Sequence, residues 1–223
     1  MNKYQKSDSL FIYSLLALSG GGMDAYSYLC RDKVFANAQT GNILLFGVSL
    51  AEGNLKNAVR YFIPVFAFAI GIILSDVIRK MITGTHIHWR QLSVMVEILI
   101  LVFVAFIPLK LNIVANSLLS MACGFQVESF RTVRGNSITT TMCIGNLRSG
   151  TNNLDKFLMT KEKVYLSKAL IYYGIILFFV LGAVCVSYMI KFAGTKAIFL
   201  SVLLLFISFF MMLDKRAKSD EQE

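Results

Sequence analysis

Charged residues are scarce in this chain, and their scarcity decides its class. Asp, Glu, Lys and Arg make up 16% of the 223 residues, whereas hydrophobic residues make up 56% and the mean hydropathy is +0.64. An ordinary soluble domain has about a quarter of its residues charged. Runs of roughly 18 or more apolar residues recur along the chain, and such runs are typical of transmembrane helices. We therefore predict an all-α integral membrane protein whose main partner is the lipid bilayer.

Motifs for catalysis or metal binding are also lacking. The four cysteines, Cys30, Cys123, Cys143 and Cys185, show no CxxC or Cys/His spacing and lie in or beside apolar segments. That pattern is typical of small buried packing residues. The chain contains no P-loop, no HExxH motif and no nucleophile–base set. We predict that it is not an enzyme and binds no cofactor.

Acidic residues are fewer than basic ones, 13 against 22, so the net charge is +9. In a soluble protein such an excess would indicate a nucleic-acid partner. Here the cations sit in short loops between apolar segments, where the positive-inside rule places them in membrane proteins. No basic patch interleaved with aromatic residues accompanies them, so we predict no nucleic-acid partner.

Six apolar segments are predicted to cross the bilayer, at about 10–29, 61–78, 92–109, 112–130, 165–190 and 197–213. Two further segments, 34–50 and 138–152, are shorter or more polar. If neither crosses and the N-terminus is inside, 15 Lys and Arg lie on the inner side and 7 on the outer side; if both cross, the split is 13 to 9. The larger bias favours six spans in a single domain. Both termini, including a polar tail at 214–223, are then cytoplasmic.

The order of features repeats within the chain. A shift of 104 residues places Gly41-Asn42 on Gly145-Asn146. The halves, about 10–109 and 112–213, then hold three spans each, together with one re-entrant or half-helical Gly-Asn segment. Because three is odd, the second half enters the membrane inverted, which is the architecture of many secondary transporters. If the Gly-Asn segments cross the membrane, each half has four spans, and the two halves then enter the membrane in the same orientation.

The two Gly-Asn segments offer neutral donors and acceptors in an apolar setting. Non-helical backbone survives in lipid only where it is buried in protein or lines a watery cavity, and transporters use such breaks to bind a solute or an ion. The alternative is structural: glycine permits a tight turn, and asparagine caps the half-helix that follows. On the binding interpretation, the ligand-facing residues are Asn37, Thr40, Gly41, Asn42, Thr140, Thr141, Gly145 and Asn146.

Asp24, Glu97 and Glu128 fall within the predicted spans or at their ends. A charge at the bilayer centre costs about 2.5–3.5 kcal/mol, so such residues face the bundle interior or a cavity, where they relay protons or bind coupling ions. The shift of 104 residues pairs Asp24 with Glu128. For these two acids, placement near the membrane interface is the alternative, whereas Glu97 has no cation near it in the sequence.

Arg131 and Arg134 follow Glu128 at intervals of three residues, so all three share one face if the helix continues. Two arginines in this arrangement can bind an anion in a forked geometry. The alternative is a positive anchor at the cytoplasmic end of the span, which the orientation rule favours.

The stretch GGMDAYSYLCRDKVFANAQTGNILLFG resembles the YoaK family of bacterial membrane proteins of unknown function. The resemblance is carried by Gly21, Asp24, Ala25, Phe35, Thr40, Gly41 and Asn42, and in the second half by Gly124, Gln126, Thr140, Thr141 and Gly145. Gln126 thereby joins the candidate ligand-binding residues. Glu128 and Ser129 depart from the pattern, which has small neutral residues there. The resemblance implies a multi-pass protein of the bacterial inner membrane, and it implies no substrate and no reaction.

Taken with the paired broken segments, these features favour secondary transport, or a channel-like conductance, for a small polar or anionic solute. The alternative is a non-transporting membrane scaffold or assembly module, in which the Gly-Asn segments are packing elements. The two differ in one structural expectation, because only a transporter needs the two segments to line a shared cavity.

Overall fold

Eight α-helices account for most of the chain that the structure, a computed structural model, describes, namely residues 9–82, 89–133 and 136–220. The helices are α1 Leu10–Cys30, α2 Gln39–Ala51, α3 Leu55–Met81, α4 Trp89–Val104, α5 Asn112–Ser129, α6 Cys143–Thr160, α7 Lys163–Ala193 and α8 Phe199–Asp220. Short 3-10 helices lie at Leu109–Leu111 and Gly194–Ile198, and strands β1 Thr132–Val133 and β2 Asn136–Ser137 pair antiparallel. Only the backbone is described at 136 and 214–220. The predicted cytoplasmic N-terminus 1–8, Arg134 and the tail residues 221–223 lie outside the described residues.

Each of the six predicted spans coincides with one helix. Several boundaries differ, most of all the start of α3, the end of α4 and the end of α8, which lies at Asp220 instead of 213. Helix α3 begins earlier than predicted because the side chain of Asn54 accepts a hydrogen bond from the Asn57 N–H at 3.1 Å and caps the new first turn. Helix α4 ends earlier, at Val104, four residues before Pro108. Proline lacks the N–H that a helix needs and disfavours a helical conformation in the residue before it.

Two helical stretches among the described residues are long and apolar enough to cross a membrane on those criteria alone. They are Leu55–Met81 and Lys163–Leu213, whose most apolar 18-residue segments have mean hydropathies of 2.2 and 2.5. The second stretch joins α7 to α8 through a 3-10 helix. The prediction of an all-α protein built from apolar helices is confirmed, while the number of crossings and the inversion of the halves stay predictions.

Helices α1 and α5 run in opposite directions. The Tyr13 hydroxyl, near the start of α1, donates to the Thr132 carbonyl oxygen, just past the end of α5, at 2.6 Å. At the other end of the bundle, Arg31 follows α1 and its Nη1 lies 3.1 Å from Oδ1 of Asn112, the first residue of α5. Each helix therefore begins where the other ends.

Helix α1 packs most extensively on α7, and α5 packs in the same way on α3. Glycines permit both contacts. A Cβ added at Gly182 of α7 would lie 1.9 Å from the carbonyl oxygen of Leu18, and one added at Gly71 of α3 would lie 2.2 Å from that of Met121. Such backbone-to-backbone approach is typical of small residues at helix contacts in membranes.

The remaining helices complete the bundle around these two pairs. Helix α2 packs on α3, and α6 packs on α7. Helix α4 packs on α5, α8 packs on α1, and α4 and α8 meet each other. The buried apolar core is therefore formed mainly by α1, α4, α5 and α8, while α2 and α6 lie at the periphery.

Irregular chain directly precedes both α2 and α6, at 31–38 and 138–142. Each helix begins two residues before its Gly-Asn pair, so the glycine and the asparagine lie in the first helical turn. The residues at the N-cap positions are Ala38 and Met142, and neither helix has a side-chain cap. Neither glycine adopts a positive φ, since the described glycines that do are Gly53 and Gly194. The glycines therefore form no turn, and the asparagines are not N-caps.

Candidate functional site

The first irregular segment reaches the middle of α1. Nδ2 of Asn37 donates to the carbonyl oxygen of Gly20, the central part of that helix, at 2.6 Å. The backbone N–H of Asn37 donates to Oδ1 of Asp24 at 2.7 Å, one turn farther along α1. The segment before α2 is thus fixed against the centre of the bundle by one side-chain bond and one backbone bond.

The second irregular segment reaches the same place from the other end of the bundle. Nε2 of Gln126 donates to the carbonyl oxygen of Leu16 at 3.1 Å and to Oγ1 of Thr140 at 2.7 Å. A Cβ added at Gly20 would lie 2.8 Å from the methyl carbon of Thr141 and 3.5 Å from Nδ2 of Asn37. The two segments therefore meet at Gly20, where the missing side chain leaves room for both.

A cavity of about 630 Å³ lies between the two segments. Its polar wall comes from both halves of the chain and includes Asp24, Asn37, Gln39, Thr40 and Thr141. Its apolar wall includes Tyr28, Phe35, Met142, Ile144 and Phe179. The first turns of α2 and α6 both border this space. Neither turn carries a side-chain cap, and each brings the positive end of a helix dipole to the cavity. In α2, the Gln39 and Gly41 N–H groups already donate to the carbonyl oxygens of Asn37 and Ala38.

The two Gly-Asn asparagines make the same pair of bonds in each half. Oδ1 of Asn42 accepts from the Phe35 N–H at 3.0 Å, and its Nδ2 donates to the Phe35 carbonyl at 2.7 Å. Oδ1 of Asn146 accepts from the Thr139 N–H at 3.3 Å, and its Nδ2 donates to the Thr139 carbonyl at 2.6 Å. Each amide is engaged with the backbone seven residues earlier, so these asparagines hold the irregular segments in place.

The two glycines of the Gly-Asn pairs differ in their surroundings. A Cβ at Gly41 would lie 2.8 Å from the ring of Phe35, which packs against the first turn of α2. Gly145 has open space beside it and lies in a groove on the outer face of α6, together with Arg148. Neither glycine lines the central cavity.

The three candidate acids lie in three different environments. Asp24 is almost fully buried and faces the cavity. Glu97 of α4 is 0% exposed, and neither of its carboxyl oxygens has a hydrogen-bond partner. Glu128 is buried but pairs with Arg131, whose side chain is 61% exposed. The structure therefore places Asp24 with the cavity residues, and it places the Glu128–Arg131 pair at the far end of α5, away from the cavity.

Arg31 is a buried functional-site candidate that sequence reasoning missed. The predicted topology places Arg31 in an outer loop, yet its side chain is 0% exposed. Its guanidinium makes five hydrogen bonds, to Tyr26 Oη twice, to the carbonyl oxygens of Val104 and Ile107, and to Oδ1 of Asn112. These bonds tie together the end of α1, the end of α4 and the start of α5. Nothing in the sequence CRDK marks such a role, because three of the four partner groups come from tertiary contact and the fourth is Tyr26, about one turn earlier.

Comparison with known proteins places the chain in a family. The profile of the family described as "Protein of unknown function (DUF1275)" matches residues 12–211. The UPF0700 transmembrane protein YoaK of Bacillus subtilis (strain 168) is 23% identical over 186 residues, which cover 79% of this chain and 81% of that protein. No solved structure matches the chain. The resemblance to YoaK is confirmed, and the chain belongs to the DUF1275 family of membrane proteins.

Proposed function

We propose that this chain is a secondary transporter, or a channel-like conductance, for a small polar or anionic solute that binds in the cavity between the two irregular segments. The observation that carries the proposal is the lining of that cavity, because it combines Asn37 and Thr40 from the first segment with Thr141 from the second. Secondary transporters bind solutes where discontinuous helices from two repeats meet near the bilayer midplane.

The architecture in this proposal is six crossings in two inverted halves, with α2 and α6 as half-helices. The helix contacts support it, since the contact of α1 with α7 corresponds to that of α5 with α3, and the contact of α2 with α3 corresponds to that of α6 with α7. The antiparallel course of α1 and α5 is the course that an inverted pair requires. Helix α2, with 13 residues, is about 20 Å long and too short for a hydrocarbon core of about 30 Å.

The proposed orientation has both termini in the cytoplasm of a bacterial cell. The end of the bundle at which α1 begins carries most of the described Lys and Arg side chains, among them Arg79, Lys80, Arg90, Arg131, Lys161 and Lys163. The opposite end carries seven, namely Arg31, Lys33, Lys56, Arg60, Lys110, Lys191 and Lys196. The positive-inside rule assigns the first end to the cytoplasm.

The chemistry of the cavity supports a polar or anionic solute. Uncapped helix N-termini bind carboxylates and phosphates through backbone N–H groups and the helix dipole. The α6 N-terminus is the better site for a negative group, because the backbone just before α2 already donates to Asp24. The rings of Phe35 and Phe179 form the apolar wall that would contact the body of the solute.

Asp24 and Glu97 are the proposed coupling residues for a proton or an ion. Both are buried in the bundle, and Asp24 also faces the cavity. Glu128 stays a third candidate, but its use would require the pair with Arg131 to open. The same pair keeps Arg131 from a free anion, so the proposal assigns it to the cytoplasmic anchor.

Flux into proteoliposomes tests the proposal. Purified protein should carry at least one member of a panel of labelled small carboxylates and neutral polar solutes. Asn37→Ala and Thr141→Ala should each lower flux roughly 10- to 100-fold, as the loss of one hydrogen bond to the solute predicts. Asn152→Ala, on the exposed face of α6, is the matched control and should retain full flux. Absence of flux across the whole panel, or full flux in both cavity variants, would contradict transport.

The alternative function, a non-transporting scaffold or assembly module, has one observation in its favour. Asn42 and Asn146 are saturated by backbone bonds, as packing elements would be. Native Cys143 lines the cavity and separates the alternatives. With Cys30, Cys123 and Cys185 replaced by serine, labelling of Cys143 by an impermeant thiol reagent from both membrane sides supports alternating access. Protection from both sides supports packing.

A further inference from the structure

The bundle centre holds two buried carboxyl groups and no partner cation. Asp24 is 9% exposed and Glu97 is 0% exposed. Within 9–82, 89–133 and 136–220, neither forms an ion pair with Lys, Arg or His; the pairs found there are Asp76–Lys80 and Glu128–Arg131. A buried carboxylate is costly unless a positive charge or hydrogen-bond donors compensate it. Backbone N–H groups of residues 36–38, Asn37 among them, donate to Asp24, whereas Glu97 accepts no hydrogen bond from the described residues; a cation from outside the chain would offset the negative charge that these donors leave.

Two side-chain amides beside these acids present oxygen atoms without donors. Asn37 and Gln126 each donate their NH₂ group to a carbonyl of α1, at Gly20 and Leu16 respectively, which are one helical turn apart. These bonds fix the orientation of both amides. Oδ1 of Asn37 and Oε1 of Gln126 are buried and have no hydrogen-bond partner. The two halves of the chain thus each contribute one fixed, unpaired acceptor at adjacent turns of the same helix.

Further acceptors surround the same part of α1. Oγ1 of Thr140 receives the other bond from Gln126, and Thr141 packs against Gly20. The Cys123 thiol donates weakly to Oγ1 of Thr141 at 3.8 Å. Asp24, the two amide oxygens and the threonine hydroxyls therefore lie around the same part of α1. A negative group has no place there, because every unpaired atom is an acceptor.

We infer that this neighbourhood binds Na⁺, with Oδ1 of Asn37 and Oε1 of Gln126 among its ligands and Asp24 as the nearest negative charge. A hard cation with oxygen ligands fits the donor set. No three His, Cys, Asp or Glu residues are grouped in the described chain, so the set is not that of a transition metal. The inference rests on the proposed function, for which Na⁺ is the coupling ion, and the solute occupies the adjoining cavity. In transporters, broken helices supply oxygen ligands for Na⁺ in this way.

Thermal unfolding of the purified full-length chain in detergent tests the Na⁺ site without transport. At equal ionic strength, NaCl should raise the unfolding midpoint saturably above its value in KCl or choline chloride. The rise should be roughly 5 to 10 °C once Na⁺ exceeds its Kd about 100-fold. Asn37→Ala and Gln126→Ala should abolish the difference between salts, and Asn152→Ala should retain it. If Gln126→Ala does not fold, Asp24→Asn takes its place beside Asn37→Ala.

Equal midpoints in the three salts would overturn the inference and assign the amide oxygens to internal water. An undiminished Na⁺ response in both amide variants would also overturn it. The proteoliposome assay separates this failure from that of the proposed function. Na⁺ stabilisation without flux supports the ion site and contradicts transport. Flux that is equal in Na⁺ and choline, with equal unfolding midpoints in the three salts, supports transport and contradicts the ion site.

Discussion

Nδ2 of Asn37 lies 2.6 Å from the carbonyl oxygen of Gly20, and this bond brings the first irregular segment to the centre of α1. The same glycine lies against Thr141 of the second segment. Parts of the chain more than 100 residues apart thus meet at one position of one helix.

Replacement of Asn146 or Asn42 by leucine should destabilise the protein. Each variant leaves a backbone N–H and a carbonyl without a partner, at a cost of about 1–3 kcal/mol for each buried group. We expect a lower thermal midpoint in detergent and faster labelling of Cys143. Asn152→Leu, on the exposed face of the same helix as Asn146, should change neither measurement. Wild-type midpoints and labelling rates in both asparagine variants would show that the side-chain bonds to the backbone are not needed for stability.

Gly182→Ala should force α1 and α7 apart. The new Cβ would lie 1.9 Å from the Leu18 carbonyl oxygen, and a backbone atom cannot move aside as a flexible side chain can. Overpacking of this kind costs about 1–3 kcal/mol or more. Gly174→Ala lies on the same helix with open space around it and should be neutral or stabilising, since alanine favours helix over glycine by about 1 kcal/mol. Equal thermal midpoints of the two variants would contradict the close contact.

Arg31→Ala should be among the most destabilising single changes in the chain. It removes the donors for the carbonyl oxygens of Val104 and Ile107 and for Oδ1 of Asn112, and each buried acceptor left unpaired costs about 1–3 kcal/mol. Arg31→Lys should rescue only part of the loss, because an ammonium group cannot reproduce the planar fork of the guanidinium. Exposed Arg148 supplies the control, and Arg148→Ala should leave the midpoint unchanged.

Glu97→Met should raise stability and abolish coupled flux. The buried carboxyl has no partner, so an apolar side chain of similar shape removes an unfavourable group and leaves no cavity. We expect a rise of roughly 2–4 °C for each kcal/mol gained. Glu52→Met, at the exposed end of α2, should affect neither property. A large loss of stability in Glu97→Met would show instead that the carboxyl is structural.

Single cysteines at Lys33 and Lys161 should be labelled from opposite sides of the membrane. Lys33 follows α1, and Lys161 lies between α6 and α7, at the opposite end of the bundle in the proposed architecture. A cysteine at Lys110 should be labelled from the same side as one at Lys33. The background for all three has the native cysteines replaced by serine. Labelling of positions 33 and 161 from one side would contradict the inverted halves.

The helices themselves could be predicted because their signal is local. A run of apolar residues as long as Leu55–Met81 has few alternatives to a helix, whichever neighbours it has. The two polar segments stood out for the same reason, and helices α2 and α6 begin in them. The local pattern assigns Gly41 to a turn and Asn42 to a cap, and the structure shows neither, while their assignment to a ligand site stays a prediction. The structure instead pairs Asn42 with Phe35, a contact that needs the irregular chain between them.

The sequence by itself determined that this protein is a membrane-embedded helical bundle with two polar interruptions, because hydropathy and residue spacing are properties of contiguous chain. Only the tertiary structure decided that the interruptions meet at Gly20, that Arg31 is buried and that Glu97 has no partner. These outcomes depend on which helices lie side by side and in which direction. That arrangement follows from the glycine contacts of α1 with α7 and of α3 with α5, which join residues too distant in the chain for any local pattern to reveal.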